Sequence, residues 1–183
     1  MHHPALLRIF VFCGLLGLLA GCQTTGTATD STEAGPNRRA LEALEPPGGG
    51  FEVTASLASR YRVGDDIRFS VTSSRTGRLW IVQVDAGDER SVLYPNPQQR
   101  DNTIRAGQPL QIPPARAKWG FDAAPPLGTT VVAFIVTTGA DRLDDVLPPE
   151  AVPGSSQPKG LSVRKDLFWG LARHTMIIEA RKP

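Results

Sequence analysis

The chain has 183 residues, a formal net charge of +2, 40% apolar residues and 21% charged residues. These values exclude a wholly disordered chain and suit one globular domain with a short appendage. Its 16 prolines and 18 glycines favour a turn-rich β protein over a helical bundle. Its two cysteines and three histidines are few, and their small number argues against most metal and nucleophile chemistry.

The first residues have the pattern of a secretory signal peptide. Arg8 precedes an apolar stretch over residues 9–19, which is too short to cross a bilayer as a helix. The stretch leads into Leu19-Ala20-Gly21-Cys22, which resembles the lipobox of bacterial lipoproteins. The resemblance implies a signal peptide over residues 1–21, cleavage before Cys22, and lipid chains on the sulfur and the new amine. The alternative is an ordinary signal peptide with a chance cysteine.

The residue after Cys22 bears on the destination of such a lipoprotein. In the sorting rule that the resemblance implies, an aspartate at this position retains the protein in the inner membrane, whereas this chain has Gln23. We therefore expect a protein that is anchored in the outer membrane through the lipid on Cys22. We expect it to face the periplasm, and the alternative is that it faces the cell exterior. Two or more acyl chains anchor a protein stably, whereas one holds it weakly.

Residues 22–50 have the composition of a lipidated, flexible tether. Thr, Ser, Gly and Pro dominate, and the large apolar residues after Gln23 are Leu41 and Leu44. Such a segment buries too little apolar surface to fold by itself. A short helix from Arg38 to Glu45, with Asn37 as its N-cap, is an equal alternative over part of the segment.

From Phe51 onward the apolar residues alternate with polar ones, which is typical of half-buried strands. The pattern predicts a β domain over residues 51–183, an Ig-like β-sandwich or small barrel of about seven or eight strands with a short helix near the C-terminus. One or two helical turns are expected at Asp141–Leu147, and a helix at Ser162–Ala172 from apolar residues at helical spacing. The predicted strands are Phe51–Leu57, Ile67–Val71, Leu79–Val84, Ser91–Tyr94, Pro109–Ile112, Lys118–Phe121, Thr129–Thr137 and Thr175–Ala180.

One block of turn residues resembles a known bacterial family, the domain-of-unknown-function family 4384. The similarity covers about residues 51–138 and implies an all-β accessory domain, with no catalytic or ligand residue to carry over. The matching segments are Tyr61-Arg62-Val63-Gly64-Asp65, Gly77-Arg78-Leu79-Trp80, Leu93-Tyr94-Pro95-Asn96, Asp101-Asn102-Thr103-Ile104-Arg105-Ala106-Gly107, Ile112-Pro113 and Gly128-Thr129.

The sequence offers little material for catalysis or for metal binding. A Ser-His-Asp hydrolase would have to use His174, and no Gly-x-Ser-x-Gly elbow precedes a helix. The acidic pairs Asp65-Asp66 and Asp144-Asp145 lie near turns. A calcium site at Asp85, Asp88 and Glu89 lacks EF-hand spacing, so a solvated hairpin tip is favoured there. We expect no catalytic residue, no metal ligand and no cofactor.

The candidate binding surface consists of Tyr94, Arg100 and Arg105 in the 94–105 loop, together with Trp119. We expect a non-catalytic scaffolding or assembly subunit of a cell-envelope complex, with envelope proteins as partners. The first alternative binds peptidoglycan or a polysaccharide, including lipopolysaccharide, and the second is a hydrolase that uses His174. Residues 51–118 hold ten cations and seven anions, and this excess of three is too small to predict nucleic-acid binding.

Overall fold

The computed structural model describes residues 34–139, 141–147 and 167–181. These residues are mainly β, as predicted. The helices are α1 (Pro36–Glu42) and α2 (Leu143–Val146), with a 3₁₀ turn at Pro47–Gly49. The strands are β1 (Phe51–Ser56), β2 (Arg60–Arg62), β3 (Asp66–Ile67), β4 (Phe69–Ser73), β5 (Gly77–Val84), β6 (Arg90–Tyr94), β7 (Thr103–Ile104), β8 (Leu110–Ile112), β9 (Phe121–Asp122), β10 (Gly128–Thr137) and β11 (Trp169–Glu179).

A curled, mixed sheet of seven strands forms a half-barrel, in the order β6-β5-β10-β11-β1-β4-β8. β1 and β11 are parallel, and the other neighbours in this order are antiparallel. The short strand β2 also pairs with β11, and β7 pairs with β5. β3 and β9 form a separate two-stranded sheet. A sandwich and a barrel share the same sequence alternation, so the sequence left both open.

The central strand β10 separates two apolar clusters. It pairs with β5 on one side and with β11 on the other, and its last eight residues are buried. Val132, Phe134 and Val136 point into the half-barrel and belong to the inner cluster. The alternate residues of β10 belong to an outer cluster on the convex face. Burial on both faces explains the nearly continuous apolar sequence of this strand.

The two helices cover part of the outer face. Leu41 of α1 is fully buried in the outer cluster, beside Val84 and Ile135 of the sheet. Val146 of α2 is buried in the same cluster. The segment from residue 34 to residue 44, which its composition assigned to the tether, therefore packs on β5 and β10. A single buried leucine, Leu41, holds this two-turn helix on the sheet. The average composition of the segment does not show which of its residues will be buried.

The helix predicted at Ser162–Ala172 is wrong for the residues that the structure describes. Residues 167–168 have no regular structure, and residues 169–172 open β11. Leu167 and Leu171 are four apart, but Trp169 and Leu171 also share one face of a strand. The positions from Ser162 to residue 166 lie outside the described residues. The helical turns predicted at Asp141–Leu147 are present as α2.

Other predictions lie outside the described part of the chain. The predicted signal peptide, the lipobox and Cys22 are among them. In the residues that the structure describes, neither helix is long and apolar enough to cross a membrane. All described residues fall within one compact unit.

Candidate functional site

A cavity of about 280 Å³ lies at the end of the half-barrel where β5 and β11 end and β10 begins. We call it the end cavity. Most of its lining residues are apolar, with contributions from five strands of the seven-stranded sheet, from β3 and from the segment 120–126. Residues that define it are Gln83, Leu93, Phe121, Ala124, Thr130 and Met176.

The segment 120–126 closes the end cavity with small and rigid residues. It contains Ala123 and Ala124 followed by two prolines, Pro125 and Pro126. The Ala123 N–H donates to the Asp65 carbonyl at 2.9 Å, and the Gly64 N–H donates to the Ala123 carbonyl at 2.7 Å. These two bonds fasten the segment to the turn before β3. The small alanine side chains leave open the space that larger residues would fill.

Two carboxylates line the end cavity. Asp122 is exposed, and within the described ranges its side chain has no hydrogen bond or ion pair. Asp85 is half-buried, and its Oδ1 accepts hydrogen bonds from the N–H groups of Gly87 and Glu89 at 2.8 and 3.0 Å. Apolar residues therefore form most of the lining, and the two carboxylates add negative charge to it.

Tyr94 does not present a ring on the surface, because its side chain is fully buried. Its hydroxyl donates to the Asp101 carbonyl at 2.6 Å and accepts from Gln99 Nε2 at 3.2 Å. Burial raises the pKa of Tyr94 above 10.0, and the charge of Asp101 adds to that increase. This residue anchors the 94–105 loop from below, so it drops out of the candidate surface.

Arg100 and Arg105 are exposed, as expected, and line two separate shallow grooves. Arg100 lies with Pro95 and Pro97 at a groove of about 310 Å³. Arg105 lies with Leu110 at a groove of about 210 Å³. Within the described part of the chain, neither guanidinium makes an ion pair. Both are available to an anionic group, but neither lines the end cavity.

Trp119 is half-buried against the wall of the end cavity. Its ring meets Phe121 edge to face, with 5.4 Å between the ring centroids. Phe121 lines the cavity and also packs against Phe69, at 5.7 Å between centroids. The indole therefore braces the cavity wall, and it is not a free platform for stacking a sugar ring.

His174 has no hydrolase partners in the described residues. It lies half-buried on the inner side of β11, where its ring meets Phe134 edge to face with 6.1 Å between centroids. Within those residues it makes no hydrogen bond to a hydroxyl or a carboxylate. Nor do they hold a cluster of three or more His, Cys, Asp or Glu side chains that suits a metal ion.

The loop considered for calcium fastens α1 to the sheet. The Asp88 carboxylate accepts from the N–H groups of Asn37 and Arg38 at 3.1 and 2.8 Å. Asn37 Nδ2 donates back to the Asp88 carbonyl at 2.8 Å. Asp88 has a φ of 64°, which is uncommon outside glycine. The loop 85–89 therefore holds the start of α1 by hydrogen bonds. This role was not predicted from the sequence.

The remaining acidic pairs have local roles. Asp65 Oδ2 accepts from the Arg62 N–H at 2.7 Å, and Asp66 Oδ2 accepts from Arg68 Nε at 2.7 Å. At the start of α2, Asp145 accepts from the Arg142 N–H at 2.9 Å. These contacts close turns and cap a helix, and none of them places two carboxylates across a cleft.

The sequence missed the end cavity itself. Its lining residues come from strands far apart in the chain, and no motif links them. The one signal was the run of two alanines and two prolines before β10, which provides small side chains at a rigid turn. Inward positions on strands were predictable, but which of them border an empty volume was not.

Comparison with known proteins identifies one family. Residues 60–140 match the family described as "Domain of unknown function (DUF4384)", so the chain contains a DUF4384 domain. The match confirms the resemblance drawn from the turn residues, with somewhat different bounds. It covers the strands from β2 to β10. No curated protein and no solved structure matches the chain significantly.

Proposed function

We propose that this chain, whose half-barrel contains a DUF4384 domain, is a non-catalytic binding subunit of a cell-envelope complex. The end cavity is the observation that carries the proposal. Small-molecule and side-chain sites are concave and mostly apolar, with a few polar groups that fix orientation. The end cavity matches that description, with its apolar walls and the carboxylates of Asp85 and Asp122.

The anchor in this proposal is the lipid on Cys22. It would hold the protein in the outer membrane, with the half-barrel on the periplasmic side. Support comes from the order of apolar stretch, small residues and cysteine at residues 9–22, and from Gln23. An anchored binding domain needs no chemistry of its own, because it acts by holding its partner at the membrane.

Cross-linking in the membranes of the producing cell tests this function. The lipidated chain is cross-linked, purified and analysed by mass spectrometry. Ala124→Leu is the test variant, because residue 124 is exposed and its enlarged side chain would fill the end cavity. Ala106→Leu is the matched control, since Ala106 is also exposed but does not line the cavity.

We expect a reproducible set of envelope proteins with the natural chain and with the control, and loss of that set with Ala124→Leu. Recovery of peptidoglycan or lipopolysaccharide without protein partners would contradict the proposal. The same partner set with all three chains would show that the end cavity is not where they bind.

A second candidate function is binding of an anionic envelope polymer. The observation in its favour is the pair of exposed guanidiniums, Arg100 and Arg105, each beside a shallow groove. Arginine binds carboxylate and phosphate bidentately. The double variant Arg100→Ala/Arg105→Ala would then lose co-sedimentation with purified sacculi, while Ala124→Leu would keep it. Support from an exposed aromatic ring is missing for this candidate, because Trp119 is half-buried against Phe121.

A further inference from the structure

We infer that the free edge of β6 binds an extended segment of a partner protein as an added strand. One apolar side chain of that segment enters the end cavity, and a neighbouring basic residue faces Asp122. The inference rests on the proposed function and names the form of the partner. Strand addition uses backbone hydrogen bonds for affinity and side-chain pockets for specificity.

β6 pairs with β5 on one side and has no other partner strand among the described residues. The Asp85 N–H donates to the Glu89 carbonyl at 3.1 Å, so the backbone of Asp85 points its N–H towards the β6 side of β5. Hydrogen-bonded and non-hydrogen-bonded pairs alternate along an antiparallel ladder. By the register, Ser91 then bonds to Gln83, while Val92 opposite Val82 directs its N–H and C=O outward.

The side chain of Val92 marks the same edge. It is 48% exposed, although valine is apolar and prefers burial. Arg90–Tyr94 contains no proline, so every residue of β6 keeps its backbone donor. The other end strand, β8, has a proline on both sides, Pro109 and Pro113, whereas β6 has one only after its end, Pro95. Proline removes a backbone donor and protects a sheet edge, so β6 is the open edge.

The end cavity lies on the inner side of this edge. Leu93 of β6 and Gln83 of β5 both line it. Leu93 is the extra residue of a bulge, because Val92 pairs with Val82 while Tyr94 pairs with Ile81. An added strand would lie about 4.8 Å beyond β6, and its inward side chains would lie next to Leu93.

The size of the cavity is sufficient for a large apolar side chain. Its volume is about 280 Å³. Sites for drug-sized ligands begin at about 300 Å³, whereas an apolar cavity of about 150 Å³ already holds benzene. The end cavity therefore suits a side chain of the size of leucine or phenylalanine, delivered by a chain that is held elsewhere.

Charge defines the residue next to that apolar side chain. Asp122 is exposed and has no ion pair in the described part of the chain, and Asp85 also lines the cavity. An acidic segment would be repelled here, and a lysine or arginine would be attracted. The partner that fits this site is thus an extended segment with one large apolar residue followed closely by a basic one.

Fluorescence anisotropy with labelled peptides tests this inference on the full chain in detergent. The probes are nine-residue peptides of alternating threonine and valine, with leucine, phenylalanine or alanine at the centre and lysine or glutamate nearby. We expect leucine or phenylalanine to bind at least tenfold more tightly than alanine, and lysine several-fold more tightly than glutamate. No binding by any peptide of the panel would overturn the inference.

Val92→Pro is the decisive variant. It removes the outward N–H while leaving the ladder to β5 in place, and we expect at least tenfold weaker peptide binding. Val92→Thr is the control, because it keeps both the β-branched shape and the N–H, and we expect it to stay within about twofold of the natural chain. Peptide affinity that is equal in Val92→Pro and Val92→Thr would overturn the edge assignment.

A second readout covers the case in which Val92→Pro fails to fold. Amide hydrogen exchange of the natural chain, followed by mass spectrometry, should slow in the β6 segment when the leucine peptide is added. Unchanged exchange in that segment would count against strand addition. The two proposals can fail separately. If Ala124→Leu abolishes the envelope cross-links but Val92→Pro keeps them, the proposed binding function stands and the strand-addition inference fails.

Discussion

At the scale of single residues, the buried Tyr94 hydroxyl should make the folded domain less stable as the pH rises above about 10. Burial raises the pKa of Tyr94 above 10.0, and the charge of Asp101 adds to it, while the hydrogen bond from Gln99 lowers it. Between about 10 and the raised value, the unfolded chain loses a proton that the folded chain keeps. Stability from this group is therefore complete below pH 10 and is lost as the pH rises through the folded pKa.

Tyr94→Phe should remove that pH dependence. The variant also loses the bond to the Asp101 carbonyl, so we expect it to be less stable by about 1 kcal/mol at neutral pH. Urea unfolding at neutral pH and at about pH 11 measures both effects. Tyr61→Phe is the control, because the Tyr61 hydroxyl also holds a backbone group, the Ala58 N–H at 3.0 Å, while Tyr94 remains. A steep alkaline loss in Tyr94→Phe would contradict this account.

The same residue shows why the candidate surface was only partly predictable. Tyr94, Arg100 and Arg105 are close in sequence, but Tyr94 is the last residue of β6 and points inward, whereas Arg100 precedes β7 and Arg105 follows it. An aromatic residue at a strand end fits either side of the sheet until the register is known. The exposed arginines were predictable from charge alone, because arginine is seldom buried without a partner.

At the scale of elements, α1 is held by side chains at both ends. Asp88 accepts the N–H groups of Asn37 and Arg38 at its start, and Arg173 donates to the Leu44 carbonyl at 2.6 Å beyond its end. Leu41 lies between these contacts and is fully buried. A helix this short is unstable alone, so its order comes from these tertiary contacts.

Leu41→Ala should therefore destabilise the whole half-barrel. We expect a loss of about 2–5 kcal/mol in the free energy of unfolding, because the change opens a cavity against the outer cluster. Leu44→Ala is the comparison, since Leu44 is half-buried in the same cluster and should cost less. Urea denaturation measures both. Equal, negligible losses would mean that the segment behaves as a tether even where the structure places it on the sheet.

The strands were more predictable than their arrangement. Alternation located β1 nearly to the residue, and nearly continuous apolar runs located β5 and β10, because a strand in a sheet must bury one face or both. It missed β2 and β7, which are three and two residues long, too short for a period to show. Pairings such as β1 beside β11 depend on contacts more than a hundred residues apart, and a local pattern does not encode them.

At the scale of the whole molecule, the proposed lipid changes what the half-barrel can do. A binding site with one cavity and one open edge gives modest affinity for a single short segment. Confinement at a membrane raises the effective concentration of a partner in the same membrane, so weak contacts suffice. In our proposal the anchor and the open edge of β6 act together, and removing the anchor should weaken partner binding without changing the domain.

Cys22→Ser tests the anchor directly. The chain has two cysteines, so Cys13→Ser provides a matched control within the predicted signal peptide. Metabolic labelling with a palmitate analogue and fractionation of outer membranes are the measurements. We expect label and outer-membrane location for the natural chain and for Cys13→Ser, and loss of both for Cys22→Ser. Label that persists in Cys22→Ser would contradict lipidation at this residue. Loss of the label in Cys13→Ser but not in Cys22→Ser would mean that the lipid is attached to Cys13.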